Sequence, residues 1–422
     1  MRKIALFGPG PAFKGGIANY NTSLAKAFSR IPGVEVHIIS WTQQYPAIIP
    51  RDFIDRKSKT NQLEGTEIQV HYITNYNNPF TWFKTCKLIR NISPEFVVFQ
   101  WSISVQGIPL GWIARNIRRY SPVRVIFDLH FVKQKEGSRI DEWLTRKGIG
   151  NAHSYIVHSL QTADELKKLF SKRKFEIVKR SSQKIIEGSI PCIHLFHPVY
   201  DMFQPDLSLD IASLKSELNL RRYVFLFFGF IRKYKGLHYA IEAFSRLAKK
   251  RDDVSLLVVG EAFWKTLDNK KFSTIIKKLF FSVAKFFVLK KEDDERDYNP
   301  LDLISKFNFE DKVTSVIEYI PNEDVHKYFQ VSDAILLFYS RATPSGVESI
   351  AYNFMLPVLA SRTGHFPETI KDGYNGYLAD NGDTLSMAEA MEKIITQPID
   401  RKNIAKASEE MSWDNYAKAI LD

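Results

Sequence analysis

Two cations stand close together in Gly229-Phe-Ile-Arg-Lys-Tyr-Lys-Gly236, namely Arg232 and Lys235. Ahead of them Tyr223 to Phe228 is an aromatic and β-branched run, of the kind that forms a strand buried on both faces. After them Leu237, Ala240, Ile241 and Phe244 recur at helical spacing. The loop therefore joins the carboxyl end of a strand to the start of a helix. Unpaired N–H groups and the helix dipole favour an anion there, and two full positive charges strengthen the preference. A solvated basic turn is the alternative. Farther on, Ser345 precedes Gly346, Val347 and Glu348. Ser345 and Glu348 fit a capping box, which would leave the N–H groups of Gly346 and Val347 free to meet the same anion. Two more stretches could do chemistry. Gly15 and Gly16 open a helix behind the strand Lys3 to Phe7, where a bare backbone can approach a ligand. His130 ends the strand Val123 to Phe127 through Asp128-Leu129. A histidine so placed can act as a base, bind a substrate hydroxyl or cap a loop.

The elements needed to position these residues alternate along the chain. Strands are expected at Val34 to Trp41, Ile68 to Ile73, Phe96 to Phe99, Ser154 to His158 and Ile193 to Phe196, with helices over Phe83 to Arg90, Trp112 to Arg119 and Thr162 to Leu169. The second half repeats the rhythm, with strands at Ser255 to Val259, Val313 to Ile317, Asp333 to Phe338 and Leu356 to Ala360. Such alternation implies an α/β fold of parallel, doubly wound sheets. His158 is expected to face a buried polar neighbour. Residues 170–190, rich in Lys, Arg and Ser, read as an exposed excursion.

With 422 residues, two domains are expected: 1–204, then 205–398, followed by a terminal helical segment 399–422. The net charge of +12 favours anionic partners such as nucleotide phosphates or acidic lipid. Cys86 and Cys192 are the only cysteines, which excludes a disulfide framework and suits the cytoplasm. The amino terminus has too short an apolar run for a secretory signal, and no stretch is long enough to be a membrane-crossing helix.

One segment, about 264–300, is unlike the rest. Phe272, Ile275, Ile276, Leu279, Val283, Phe286 and Phe287 would share one helical face, with Lys277, Lys278 and Lys285 opposite. A basic amphipathic helix of this kind can lie in an anionic membrane interface, or pack on its own domain with its lysines in solvent.

The order of these motifs resembles the GT-B glycosyltransferases, specifically glycosyltransferase family 4, of the retaining group 1 type. The resemblance is carried by Gly15-Gly16-Ile-Ala-Asn-Tyr20, His130, Arg232 to Gly236, the Tyr319-Ile320-Pro321 turn, Thr343-Pro-Ser-Gly-Val347 and Leu356-Pro-Val-Leu-Ala360. It implies two facing Rossmann-like domains, the first binding an acceptor and the second a nucleotide diphosphate sugar. It implies diphosphate contacts from Gly15, Gly16, Arg232, Lys235, Ser345, Gly346 and Val347, and nucleotide contacts near Gly260, Tyr319, Ile320 and Glu348. His130, Arg232 and Lys235 would be the catalytic residues, with His130 touching the transferred sugar. No cofactor is implied, and no Asp-x-Asp motif suggests a metal.

The implied activity is transfer, with retention, from a UDP- or GDP-sugar to a glycan or lipid-linked glycan in surface polysaccharide or lipopolysaccharide assembly. The place would be the cytoplasm or the inner face of its membrane, with no nucleic acid involved. Many members carry a pair of glutamates whose positions here fall at Ala342 and Ile350. That departure leaves two alternatives, a GT-B epimerase or hydrolase and a non-catalytic nucleotide-sugar binder.

Overall fold

The computed structural model describes residues 1–45, 54–55, 62–132, 139–262, 298–342, 344 and 346–422. The described chain forms two compact units, one from Met1–Phe196 and Trp413–Asp422, the other from residues 197–262 and 298–412.

The first unit is built on an eight-stranded sheet ordered β3-β2-β1-β4-β5-β6-β8-β7. Its strands are β1 (Arg2–Phe7), β2 (Val34–Gln43), β3 (Gln69–Asn75), β4 (Phe96–Trp101), β5 (Arg124–Leu129), β6 (Ser154–Val157), β7 (Lys174–Val178) and β8 (Ser189–His194). Every pairing is parallel. All residues of β4 are buried, which is why Phe96 to Phe99 reads as continuous apolar sequence. Helices α1 (Gly16–Ser29), α2 (Pro79–Ile92), α3 (Gly107–Tyr120), α4 (Arg139–Ile149) and α5 (Leu160–Leu169) connect the strands. The strand order reverses between β1 and β4, and in such sheets the crevice beyond the carboxyl ends at that reversal receives the ligand.

The second unit repeats the plan with six parallel strands ordered β11-β10-β9-β12-β13-β14. They are β9 (Tyr223–Phe228), β10 (Val254–Val259), β11 (Val313–Val316), β12 (Ala334–Leu337), β13 (Val358–Ser361) and β14 (Gly376–Ala379). Here the reversal lies between β9 and β12. One core packs Phe225, Phe227, Leu256, Val258 and Leu336 against Ile241 and Phe244 of the helix Leu237–Ala248.

Three departures from the sequence reading have physical causes. Residues 170–190 contain β7, an edge strand whose Lys174 and Ile177 are exposed, so its alternation is hidden among charges. β14 has four residues and begins at a glycine, and its Asn375-Gly376 start reads as a turn. The chain joins the second unit at His197, ahead of Pro205. His197 Nδ1 lies 2.8 Å from Ser349 Oγ, Asn353 Nδ2 donates to the Phe203 carbonyl at 2.6 Å, and Val199 N donates to Met411 O at 2.9 Å. The stretch 197–204, expected in the first domain, is thus bonded into the second unit.

Candidate functional site

The second unit carries the basic loop at its strand-order reversal. β9 ends at Phe228, and Gly229 takes a positive φ of 96° that turns the chain across the sheet edge. Arg232 to Lys235 closes a single tight turn, with Lys235 N donating to Arg232 O at 3.0 Å. Gly236 has φ 67°, and a Cβ there would collide with the carbonyl of Phe338. Ser340 N donates to Tyr234 O at 2.8 Å. The loop after β9 is therefore fastened to the chain leaving β12, across the point where a ligand is expected.

Within this corner the Lys235 ammonium lies 3.1 Å from where a Gly229 Cβ would stand, and Val347 Cγ2 lies 3.6 Å from the same point. It also sits 5.9 Å from the centre of the Tyr339 ring. Burial lowers its pKa to about 8, and the Arg232 guanidinium adds to the effect. No carboxylate pairs with Lys235 among the described residues, so its charge is left for a ligand to meet. Arg232 is half-buried, its guanidinium carbon 5.8 Å from the Tyr234 ring centre.

The helix Gly346–Asn353 brings Gly346 and Val347 to the same corner. Gly346 rests on Tyr200, whose Cε2 lies 2.7 Å from any Cβ that Gly346 might carry. Ser345, the expected cap, lies outside the described residues. Its expected partner Glu348 does not return to a cap. The carboxylate is buried and bonded to His365 Nε2 at 2.6 Å, Thr369 Oγ1 at 2.5 Å and Tyr352 OH at 3.3 Å. That corrects both the capping box and the thought of Glu348 as a nucleotide contact, since its oxygens are committed inside the unit. His365 and Thr369 lie well downstream in sequence, so nothing local announced them.

Gly260 has φ 141°, and a Cβ there would strike the carbonyl of Gly229. Its glycine lets the ends of β9 and β10 touch, while Ile231 N donates to Glu261 O at 3.0 Å. Tyr319 and Ile320 follow β11, at the same carboxyl edge; Tyr319 is half-buried and Ile320 buried. Ala342 and Ile350 are both buried apolar residues.

The comparisons with known proteins agree with this geometry. Residues 210–411 match the family described as "Glycosyl transferases group 1". That segment, a little under half of the chain, is similar to the group 1 glycosyltransferases. Among solved structures with a GT-B-like fold, Anabaena HepE in complex with UDP superposes with a TM-score of 0.60 at 13% identity, over 99% of this chain and 96% of that one. The lipopolysaccharide outer core galactosyltransferase WaaB gives 0.58 at 14% identity, over 99% of each chain. Spore coat protein SA of Bacillus subtilis (strain 168) is 23% identical over 219 residues, 50% of each chain. The match thus spans about half the length of the curated relatives.

The first unit places the remaining candidates at the carboxyl edge of its own sheet. Gly15, φ 101°, precedes α1, and Ala18 N donates to its carbonyl at 3.1 Å. His130 follows β5 directly, its N–H donating to Trp101 O at 3.1 Å. Its Nε2 lies 2.7 Å from Gln100 Oε1, and the Tyr20 ring meets it edge-on at 4.7 Å. Burial lowers the His130 pKa to about 4, against the pull of Asp128, so the imidazole is neutral near pH 7.

Asp128, fully buried, is the polar neighbour that His158 was expected to face, and it also holds Tyr416, which sequence reasoning missed. His158 Nε2 lies 2.8 Å from Asp128 Oδ1, and the hydroxyls of Tyr20 and Tyr416 lie 2.9 and 3.2 Å from Oδ2. The two hydroxyls are 2.7 Å apart. Tyr416 belongs to the last helix, Trp413–Leu421, so the end of the chain is bonded to α1 and β5 in this unit. The Gly-Gly-x-x-x-Tyr spacing signalled Tyr20; no spacing could signal Tyr416.

Lys277, Lys278, Lys285, Phe286 and Phe287, with the whole basic segment they define, lie outside the described residues. No helix among the described residues is long and apolar enough to cross a membrane.

Proposed function

We propose that the protein moves a sugar, with retention, from a nucleotide diphosphate sugar to an acceptor hydroxyl. The observation that carries this reading is the Lys235 ammonium set against Gly229 and Val347 at the strand-order reversal of the second unit. As the donor bond breaks, negative charge grows on the departing diphosphate. Lys235, Arg232 and the N–H groups of Gly346 and Val347 are the groups to stabilise it, in a corner already shaped before the donor arrives. UDP is the leading nucleotide, because Anabaena HepE was solved with UDP and with UDP-glucose; GDP is the second choice. In the first unit, neutral His130 would hydrogen-bond a sugar hydroxyl, and Gly15 and Gly16 would let substrate approach the start of α1.

The acceptor we favour is a glycan or lipid-linked glycan of surface polysaccharide assembly, met at the inner face of the cytoplasmic membrane. Support comes from the net positive charge, the basic segment 264–300 and the likeness to WaaB. The replaced glutamate pair, Ala342 and Ile350, favours as second reading a protein that binds the donor without transferring it. Release of nucleoside diphosphate from a panel of nucleotide sugars, with acceptor and without, decides among the readings. Release only with acceptor supports transfer. Release without acceptor supports a hydrolase, and binding without release supports the binder.

A further inference from the structure

In the first unit α2, α3 and α4 form one layer whose outer surface is unusual. Glycines flatten it: a Cβ on Gly107 would meet the Leu144 carbonyl, and one on Gly111 the Lys147 carbonyl. Backbones that approach so closely push the intervening side chains outward side by side. Phe80 is 78% exposed, Phe83 58%, Ile140 57% and Trp143 50%. Phe83 packs edge-on against Trp112 at 4.6 Å, so it is held in place although solvent reaches it. Single exposed apolar residues are ordinary, but two pairs of them on the helices either side of α3 are not.

The charges around these residues have one sign. Each of the three helices carries three Lys or Arg, and the only acids are Asp141 and Glu142 on α4. Glu142 is taken by Arg146 at 2.9 Å, and Asp141 accepts from Ser104 at 2.6 Å. Lys84, Lys87 and Arg115 are exposed and have no carboxylate partner among the described residues. The Lys147 ammonium lies over the Trp143 ring, 5.9 Å from its centre.

We infer that this layer docks the protein on an anionic lipid surface, with Phe80, Phe83, Ile140 and Trp143 entering the interface and the surrounding cations meeting headgroup phosphates. Aromatic and aliphatic tips beside Lys and Arg are the composition that lies in a bilayer interface, whereas a nucleic acid would leave Ile140 and Phe80 without partners. Residues 270–291 contain lysines and no acid, so they offer this face no charge complement. The inference rests on the membrane location proposed above but assigns it to a different part of the chain.

Flotation of the full chain with phosphatidylcholine vesicles, with and without phosphatidylglycerol, tests it. The wild type should float only with the anionic vesicles and be released by salt. Lys87→Glu with Arg115→Glu should weaken binding roughly thirtyfold or more. Phe83→Ser with Trp143→Ser should weaken it comparably, and both variants should keep the wild-type melting temperature and response to UDP. Undiminished flotation of both variants overturns the inference, as does loss of flotation only when residues 270–291 are deleted. Concentration-dependent self-association, or capture of an acidic protein, in place of vesicle binding also overturns it. A chain that floats but binds no nucleotide sugar would sink the transferase reading and leave this one standing.

Discussion

The ammonium of Lys235 stands 3.1 Å from the place where a side chain on Gly229 would begin, so the glycine leaves the space and the lysine supplies the charge. Both belong to one short loop, and the pairing requires the positive φ of Gly229. Because burial and Arg232 hold this lysine at about 8, its charge is lost within an accessible pH range. A group with that pKa is cationic below it and neutral above it. Donor kcat/KM is therefore expected to fall as pH rises through about 8, and Lys235→Arg should flatten that limb. A bound diphosphate stabilises the cation, so the limb in kcat should lie at higher pH. Rates measured between about pH 6 and about pH 10, a span that takes in the ordinary lysine pKa, check both shifts.

Gly236 and Gly373 separate backbone strain from collision. Both have positive φ, 67° and 74°, but a Cβ at Gly236 would strike Phe338 while one at Gly373 has nothing within 4 Å. Gly373→Ala is expected to cost about 1–2 kcal/mol, the left-handed penalty alone. Gly236→Ala should cost more and raise the donor KM, since the loop bearing Lys235 must move. Urea unfolding of the two variants, with donor kinetics on each, makes the comparison.

Glu348 is expected to be a structural residue. His365, Thr369 and Tyr352 all bond to its buried carboxylate. Glu348→Ala leaves them without that partner and should destabilise the fold by about 2–4 kcal/mol. If Glu348 instead bound the nucleotide ribose, the substitution would raise the donor KM with little change in stability. Equilibrium unfolding beside donor kinetics tells the two apart.

In the first unit, Tyr416→Phe removes one hydroxyl from Asp128 and Tyr20 and is expected to cost about 1–3 kcal/mol. Asp128→Ala should cost more, because His158, Tyr20 and Tyr416 all lose their acceptor. Thermal unfolding gives the order; equal stabilities for the two variants would contradict the network.

How much of this was legible depended on whether the cause was local. Phe96 to Phe99 and Tyr223 to Phe228 announced central strands because strands buried on both faces are largely apolar. The Arg232 to Gly236 loop was legible because a turn between strand and helix has few chemical solutions. β7 was hidden, since an edge strand can leave charged residues in water. His365 and Thr369 around Glu348, and Tyr416 beside Asp128, were hidden for a different reason. They come from distant segments that only the folded sheet brings together, and a buried carboxylate looks the same in sequence as one that binds substrate or caps a helix.

The most direct measurement is a crystal structure of the full chain with UDP. The diphosphate is expected at the carboxyl ends of β9 and β12, its oxygens about 3 Å from Lys235 Nζ and from the backbone nitrogens of Gly346 or Val347. A diphosphate bound elsewhere, with Lys235 still facing only Gly229, Val347 and Tyr339, would contradict the account.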